Sequence, residues 1–330
     1  MRILVVGPSW IGDAVLSHSL LIRLKQLDPS GAIDVLAPPW VLPVYRRMPE
    51  VAEAIAFAFG HGELKLGERR RFAKTLPQYA RAVVLPNSWK SALVPFHAGV
   101  PVRTGYRGEM RYGLLNDLRH LDAAALPRIV DRYAALAEPR GAPLNRPVAE
   151  PRLRVDEAAR RVTAAKLGLE LSKPVVVLAP GAEYGPAKRW PARHFAELAA
   201  LLASRGFQAW LIGSAKDAQI TAEVARLARA PVVDLAGRTT LDEAIDVLSF
   251  AAHVVTNDSG LMHVAAALDR PTAAIFGSSS PEFTPPLSAH ARVISLKLSC
   301  SPCFKRVCPL GHTNCLVTLE PGKVLQEMSL

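Results

Sequence analysis

Met1-Arg2-Ile3-Leu4-Val5-Val6-Gly7-Pro8-Ser9-Trp10-Ile11-Gly12-Asp13 opens the chain, and its reading decides the fold. The apolar run Ile3–Val6 is short, as befits a strand buried on both faces of a sheet. A Gly/Pro/Ser loop ends it. The stretch from Ala14 to Leu27 then continues with the period of an amphipathic helix. Strand, glycine-bearing loop and helix are the first half of a parallel β-α-β unit. Similar strands recur at Ile33–Ala37, Ala82–Leu85, Pro174–Ala179, Ala209–Ile212, Val254–Thr256 and Thr272–Phe276, and Phe195 to Arg205 reads as a helix between two of them. The stretch Pro139–Asp156 is rich in Pro, Ala and Arg and lacks periodicity, so it reads as a linker. The chain has 330 residues, more than one ordinary core organises. An α/β protein of two doubly wound parallel-sheet domains is expected, over residues 1–155 and 156–330.

Charge is distributed unevenly between these halves. Residues 1–166 hold 25 Lys and Arg against 15 Asp and Glu, whereas residues 167–330 hold 15 against 14. A basic first half suits an acidic partner: a phosphorylated substrate, an anionic membrane or nucleic acid. Nucleic acid is the least suited of these, because the basic run at 69–74 holds a single aromatic side chain, Phe72, too few to stack successive bases. No cleavable leader pattern precedes Ile3, and no run reaches the roughly 18 apolar residues of a membrane span. The expected location is the cytoplasm.

Three loops carry residue types suited to chemistry. The first, Gly7 to Asp13, spaces its glycines G-x4-G and so matches neither a dinucleotide fingerprint nor a P-loop. Asp13 stands where a carboxylate can complement a helix dipole, or where a general base would be displayed beyond the first strand. The second, Pro180-Gly181-Ala182-Glu183-Tyr184-Gly185-Pro186-Ala187-Lys188-Arg189-Trp190-Pro191, sets adjacent cations in a Gly/Pro-rich loop. Lys188 and Arg189 could sit on a diphosphate or simply be solvated. The third, Thr256-Asn257-Asp258-Ser259-Gly260-Leu261-Met262-His263, follows a strand and opens a helix, where backbone N–H groups around Ser259 and Gly260 suit an anion. His263 there is a phosphate or sugar ligand or a structural histidine. The chain contains no D-x-D carboxylate pair for a magnesium-held diphosphate, so no obligatory metal is expected in the reaction.

The four cysteines are confined to Cys300, Cys303, Cys308 and Cys315. Without an export signal this clustering argues against a disulfide framework. The C-x2-C-x4-C-x6-C spacing is compatible with tetrahedral zinc but lacks a ribbon's paired form, so reduced thiols packed in an irregular loop are the leading expectation.

These three loops, together with Leu85-Pro86-Asn87-Ser88-Trp89-Lys90-Ser91-Ala92-Leu93 and Arg103-Thr104-Gly105-Tyr106-Arg107-Gly108-Glu109-Met110-Arg111-Tyr112, are similar to glycosyltransferase family 9. The resemblance runs in order from residue 1 to about residue 297. It implies a GT-B fold, two Rossmann-like domains facing a cleft, with the acceptor on the N-terminal side and the nucleotide sugar on the C-terminal side. The implied reaction transfers heptose from ADP-heptose to the first heptose of a phosphorylated lipopolysaccharide inner core, with inversion and no required cofactor. Asp13 matches the catalytic base and Lys188 the cation at the departing diphosphate. Gly181, Arg189, Ser214, Asp217, Asp258, Ser259, Gly260 and His263 fall at donor positions, Asp217 holding the ribose. The acceptor set comprises Ser9, Trp10, Gly12, Lys65, Arg69, Arg70, Arg71, Lys90, Arg103, Arg107 and Arg111. The implied location is peripheral, on anionic lipid at the inner face of the inner membrane. The alternatives are a family member with a different acceptor, or a nucleotide-sugar epimerase of the same fold, which would turn over donor without acceptor.

Overall fold

The computed structural model describes residues 1–57, 59, 63–328 and 330. It divides into two compact units, Met1–Pro151 and Arg152–Leu330, and the division falls inside the aperiodic Pro139–Asp156 stretch.

The first unit holds β1 (Arg2–Val6), β2 (Ala32–Ala37), β3 (Val51–Ala56), β4 (Arg81–Val84), β5 (Val102–Tyr106) and β6 (Asp117–Arg119), in the order β3-β2-β1-β4-β5-β6. The second holds β7 (Val175–Ala179), β8 (Gln208–Leu211), β9 (Val232–Asp234), β10 (Ala251–Asn257), β11 (Thr272–Ile275) and β12 (Ala291–Ile294), in the order β12-β11-β10-β7-β8-β9. Every named pair is parallel. Counted from the first strand of each unit, both orders are 3-2-1-4-5-6, the Rossmann arrangement. The central strand β7 is apolar throughout because helices cover both faces: all five residues of Val175–Ala179 are buried.

The parallel order has a functional consequence. Strand order reverses between β1 and β4 and again between β7 and β10, and ligands of such sheets bind beyond the carboxyl ends at that reversal. The Gly7–Trp10 loop and the Leu85–Ser88 loop therefore lie together in the first unit. The Pro180–Trp190 loop lies beside Asp258 in the second.

One helix differs from its expected form. The Ala14–Leu27 segment is two helices, Ile11–Leu16 and His18–Leu27, divided at Ser17. The Ser17 hydroxyl donates back to the Ala14 carbonyl at 2.7 Å, a local bond that competes with continuous helical pairing.

Candidate functional site

The second unit builds its site from two loops fastened together by one asparagine. Asn257 ends β10; its Oδ1 accepts from the Trp190 amide at 3.0 Å and its Nδ2 donates to the Pro180 carbonyl at 2.7 Å. Both ends of the Lys188 loop are thereby tied to β10. Nothing local in the sequence marks Asn257 for this role, which depends on pairing across 67 and 77 residues.

Lys188 is held over the Tyr184 ring, 5.0 Å from its centroid, and its Nζ meets Asp258 Oδ2 at 2.5 Å. The Asp258 side chain is only 6% exposed, so this ion pair is poorly screened. Ser279 also donates its hydroxyl to Asp258 Oδ2. Ser279 too escaped the sequence reading, since the Ser278-Ser279-Ser280 run after β11 looks like ordinary loop.

Beside Asp258, Ser259 is the N-cap of the helix Gly260–Ala267 but makes no side-chain cap bond to it. The first-turn amides of this helix therefore lack a side-chain cap, the condition under which a helix start can take an anion. His263, on the same helix, is buried, and its Nδ1 has no hydrogen-bond partner among the described residues. Burial, partly opposed by Asp258 and reinforced by Lys188, brings its pKa down to about 4. A neutral imidazole is the result at working pH.

That burial has a measurable signature. Below pH 6.5 the unfolded chain protonates this histidine, while the folded chain resists until about pH 4. Stability should be full above pH 6.5 and fall as pH drops through that window, by up to about 1.4 kcal/mol per unit. Denaturant unfolding of wild type and His263→Asn from pH 7 to pH 4 checks this. The variant should lose that part of the slope; parallel curves would refute it.

Ser214 and Asp217 form a reciprocal cap after β8: Asp217 Oδ2 accepts from the Ser214 amide at 2.9 Å and hydroxyl at 2.8 Å. The Asp217 carboxylate lies against Gly181, where a Cβ would overlap it. This explains the glycine and brings two expected donor residues, far apart in sequence, side by side. Arg189 directs Nε and Nη2 to the Ala182 carbonyl, bracing its own loop.

In the first unit, Asp13 is half-buried in the first turn of Ile11–Leu16. Its charge is felt by two buried phenols, Tyr45 and Tyr133, whose pKa values are raised first by burial and then in part by Asp13. Ser9 and Trp10 precede it on the loop after β1 and Gly12 adjoins it in the helix; the Trp40 indole donates to the Ser9 carbonyl at 2.9 Å. Lys65, Lys90 and Arg107 stand on loops after β3, β4 and β5, with Arg70 and Arg71 exposed on the helix Leu66–Ala73. Lys65 pairs with Glu63 at 3.0 Å.

Three residues expected at the acceptor instead direct their guanidinium groups into the fold. Arg69 is buried, donates to the Leu64 and Glu63 carbonyls at 2.7 and 3.0 Å, and lies over the Phe57 and Phe59 rings. Arg103 donates to the Leu114 and Val100 carbonyls, both at 2.6 Å, and covers Phe96. Arg111 is wholly buried; it binds the Pro86 carbonyl at 2.6 Å and the Tyr106 carbonyl, locking the loops after β4 and β5. Burial lowers its pKa to about 10, still charged at neutral pH. Arginine's five donors and long stem suit internal bracing as well as ligand binding, and sequence cannot separate the two. Arg111→Ala should cost roughly 2–3 kcal/mol by leaving buried carbonyls unpaired, read by urea unfolding; a change below 0.5 would contradict this role.

In both units, then, the loops that carry the candidate residues follow the strands at the strand-order reversal. The sequence profile of glycosyltransferase family 9 (heptosyltransferase) matches residues 69–314, and the chain belongs to this family. It is 49% identical to lipopolysaccharide heptosyltransferase 2 of Escherichia coli K12, covering all of this chain and 98% of that one. The Salmonella typhimurium lipopolysaccharide heptosyltransferase 2 is also 49% identical, over 99% of this chain and 97% of its own. Among solved structures, E. coli ADP-heptose lps heptosyltransferase II superposes with a TM-score of 0.90 at 46% identity, covering 100% and 98%.

Proposed function

We propose that this chain transfers L-glycero-D-manno-heptose from ADP-heptose to the first heptose of the lipopolysaccharide inner core, on heptosyl-Kdo2-lipid A, with inversion. The chain is a glycosyltransferase, and heptosyl transfer in lipopolysaccharide core synthesis is its activity. The finer reading rests chiefly on one observation: Lys188 and Asp258 meet at the strand reversal of the second unit, beside a helix start without a side-chain cap.

In this reading Arg152–Leu330 takes the donor and Met1–Pro151 the acceptor. Asp13 removes the proton of the attacking hydroxyl. The new bond forms at the anomeric carbon as the bond to the ADP oxygen breaks. Lys188 and the amides around Ser259 and Gly260 take up the charge gained by the departing diphosphate, aided by His263. Asp217, against Gly181, accepts from the ribose. No metal is assigned to the reaction, because the carboxylate beside the diphosphate position, Asp258, is already held by Lys188 and Ser279.

Acceptor recognition falls to Lys65, Arg70, Arg71, Lys90 and Arg107, cations suited to core phosphates. Exposed Trp10, Trp40, Trp89, Met110 and Tyr112 stand on loops after β1, β2, β4 and β5 of the same sheet. Aromatic side chains among cations suit an amphiphilic acceptor at a membrane surface. Among the described residues no helix is long and apolar enough to cross a membrane. The exposed cations and aromatic side chains support peripheral, electrostatic attachment at the cytoplasmic face of the inner membrane. Flotation with anionic vesicles should fall several-fold between low and high salt; salt-independent flotation would overturn the attachment mode.

The deciding experiment offers ADP-heptose with heptosyl-Kdo2-lipid A or Kdo2-lipid A. Transfer to the first confirms the acceptor, and transfer to the second alone replaces it. Donor turnover without any acceptor would favour the epimerase.

A further inference from the structure

The segment between β12 and the short helix Asn314–Val317 contains neither helix nor strand. Apolar burial does not hold it: Phe304, Val307 and Leu310 are 55%, 67% and 59% exposed. Yet it is stitched to both loops that shape the Lys188 site. Phe304 N donates to the Ser278 carbonyl at 2.6 Å, Ala187 N to the Arg306 carbonyl at 3.1 Å, and the Tyr184 hydroxyl to the Phe304 carbonyl at 2.9 Å. Long irregular segments need a brace when they lack a core.

All four cysteines line one small cavity of about 20 Å³ within this segment. Each is a free, partly buried thiol. The backbone amides of Thr313, Leu310, Gly311 and His312 gather around the Cys308 sulfur, with Gly311 at a φ of +73°. Such a turn offers donors to an anionic sulfur. From 295 to 313 the chain has Lys297, Lys305 and Arg306 and no Asp or Glu, a charge balance suited to thiolates. His312 also faces the cavity, but its Nδ1 accepts from the Asn314 amide at 3.0 Å.

We infer that Cys300, Cys303, Cys308 and Cys315 form a structural tetrathiolate site for one tetrahedral divalent transition-metal ion, with zinc the best chemical match. Among the described residues no three potential ligands stand at metal-binding spacing, so the site requires the four thiols that line the cavity to converge on the ion. Each thiol gives its proton to solvent and its sulfur lone pair to the metal, with no redox change. The ion braces the Cys300–Cys315 segment and, through Phe304 and Arg306, the Lys188 loop. Its effect on donor binding rests on the transfer reading above; its presence does not.

The test is elemental analysis of untagged protein purified without chelator, followed by cobalt titration of chelator-stripped protein and a count of reactive thiols. One zinc per chain is expected, with the visible absorption of tetrahedral thiolate-bound cobalt at one equivalent and four thiols released on stripping. The Cys303→Ser/Cys308→Ser variant should take up no cobalt. Stripped wild type should show a several-fold higher KM for ADP-heptose, reversed by zinc. Metal-free protein that gives no thiolate–cobalt absorption, or protein with two disulfides, overturns the site. Metal bound with unchanged KM overturns only its link to the donor loop.

Discussion

Asp13→Asn should lower heptosyl transfer about 100- to 10,000-fold, measured as kcat at saturating ADP-heptose, with little change in donor KM. Asparagine preserves the shape of the helix's first turn but cannot take the acceptor proton. The residue is half-buried among the apolar side chains of Ile11–Leu16, with Tyr45 and Tyr133 nearby. Loss of a carboxylate at a helix start costs only about 0.3–1 kcal/mol, so the folded fraction should hardly change. Thermal unfolding of the same preparation separates lost chemistry from lost fold. Activity within tenfold of wild type would mean that another group takes the proton.

Lys188→Met should reduce kcat about 100- to 1,000-fold, because the leaving diphosphate loses its fixed cation in a poorly hydrated site. A second effect accompanies it. Asp258 is 6% exposed and would keep only the Ser279 hydroxyl, and a buried carboxylate stripped of its partner costs roughly 3 kcal/mol. The Lys188→Met/Asp258→Asn double variant separates the two roles. It should recover stability, since neither charge remains buried, while staying inactive. Recovery of both would reduce the ion pair to a structural feature.

How much of this was legible in advance depends on the kind of interaction. Long central strands were readable because a strand covered on both faces must be apolar along its length, as in Val175–Ala179. Edge strands were not. Asp117–Arg119 and Val232–Asp234 have three residues each, Ala291–Ile294 carries Arg292, and Val51–Ala56 is interrupted by Glu53 and keeps exposed positions. The division at Ser17 was hidden because helical periodicity continues across it.

The site divides in the same way. Asp13, Lys188 and Asp258 could be singled out from sequence because each sits in a loop of unusual composition following a strand, and parallel topology sends such loops to one end. The arginines could not be sorted. Arg70 and Arg71 are exposed next to buried Arg69, and Arg107 is exposed four residues from buried Arg111. Local sequence shows that a cation is present, but partners far along the chain decide whether it faces solvent or a buried carbonyl.

By itself, then, the order of apolar runs and glycine loops determined two parallel α/β units and the ends of the strands where chemistry belongs, since those properties follow from local periodicity. The tertiary structure alone decided that Asn257 ties both ends of the Lys188 loop, that Ser279 supports Asp258, and that Arg69, Arg103 and Arg111 brace the fold. The reason is physical: a hydrogen bond needs its two groups within about 3 Å, and only the folded chain brings residues dozens of positions apart to that distance.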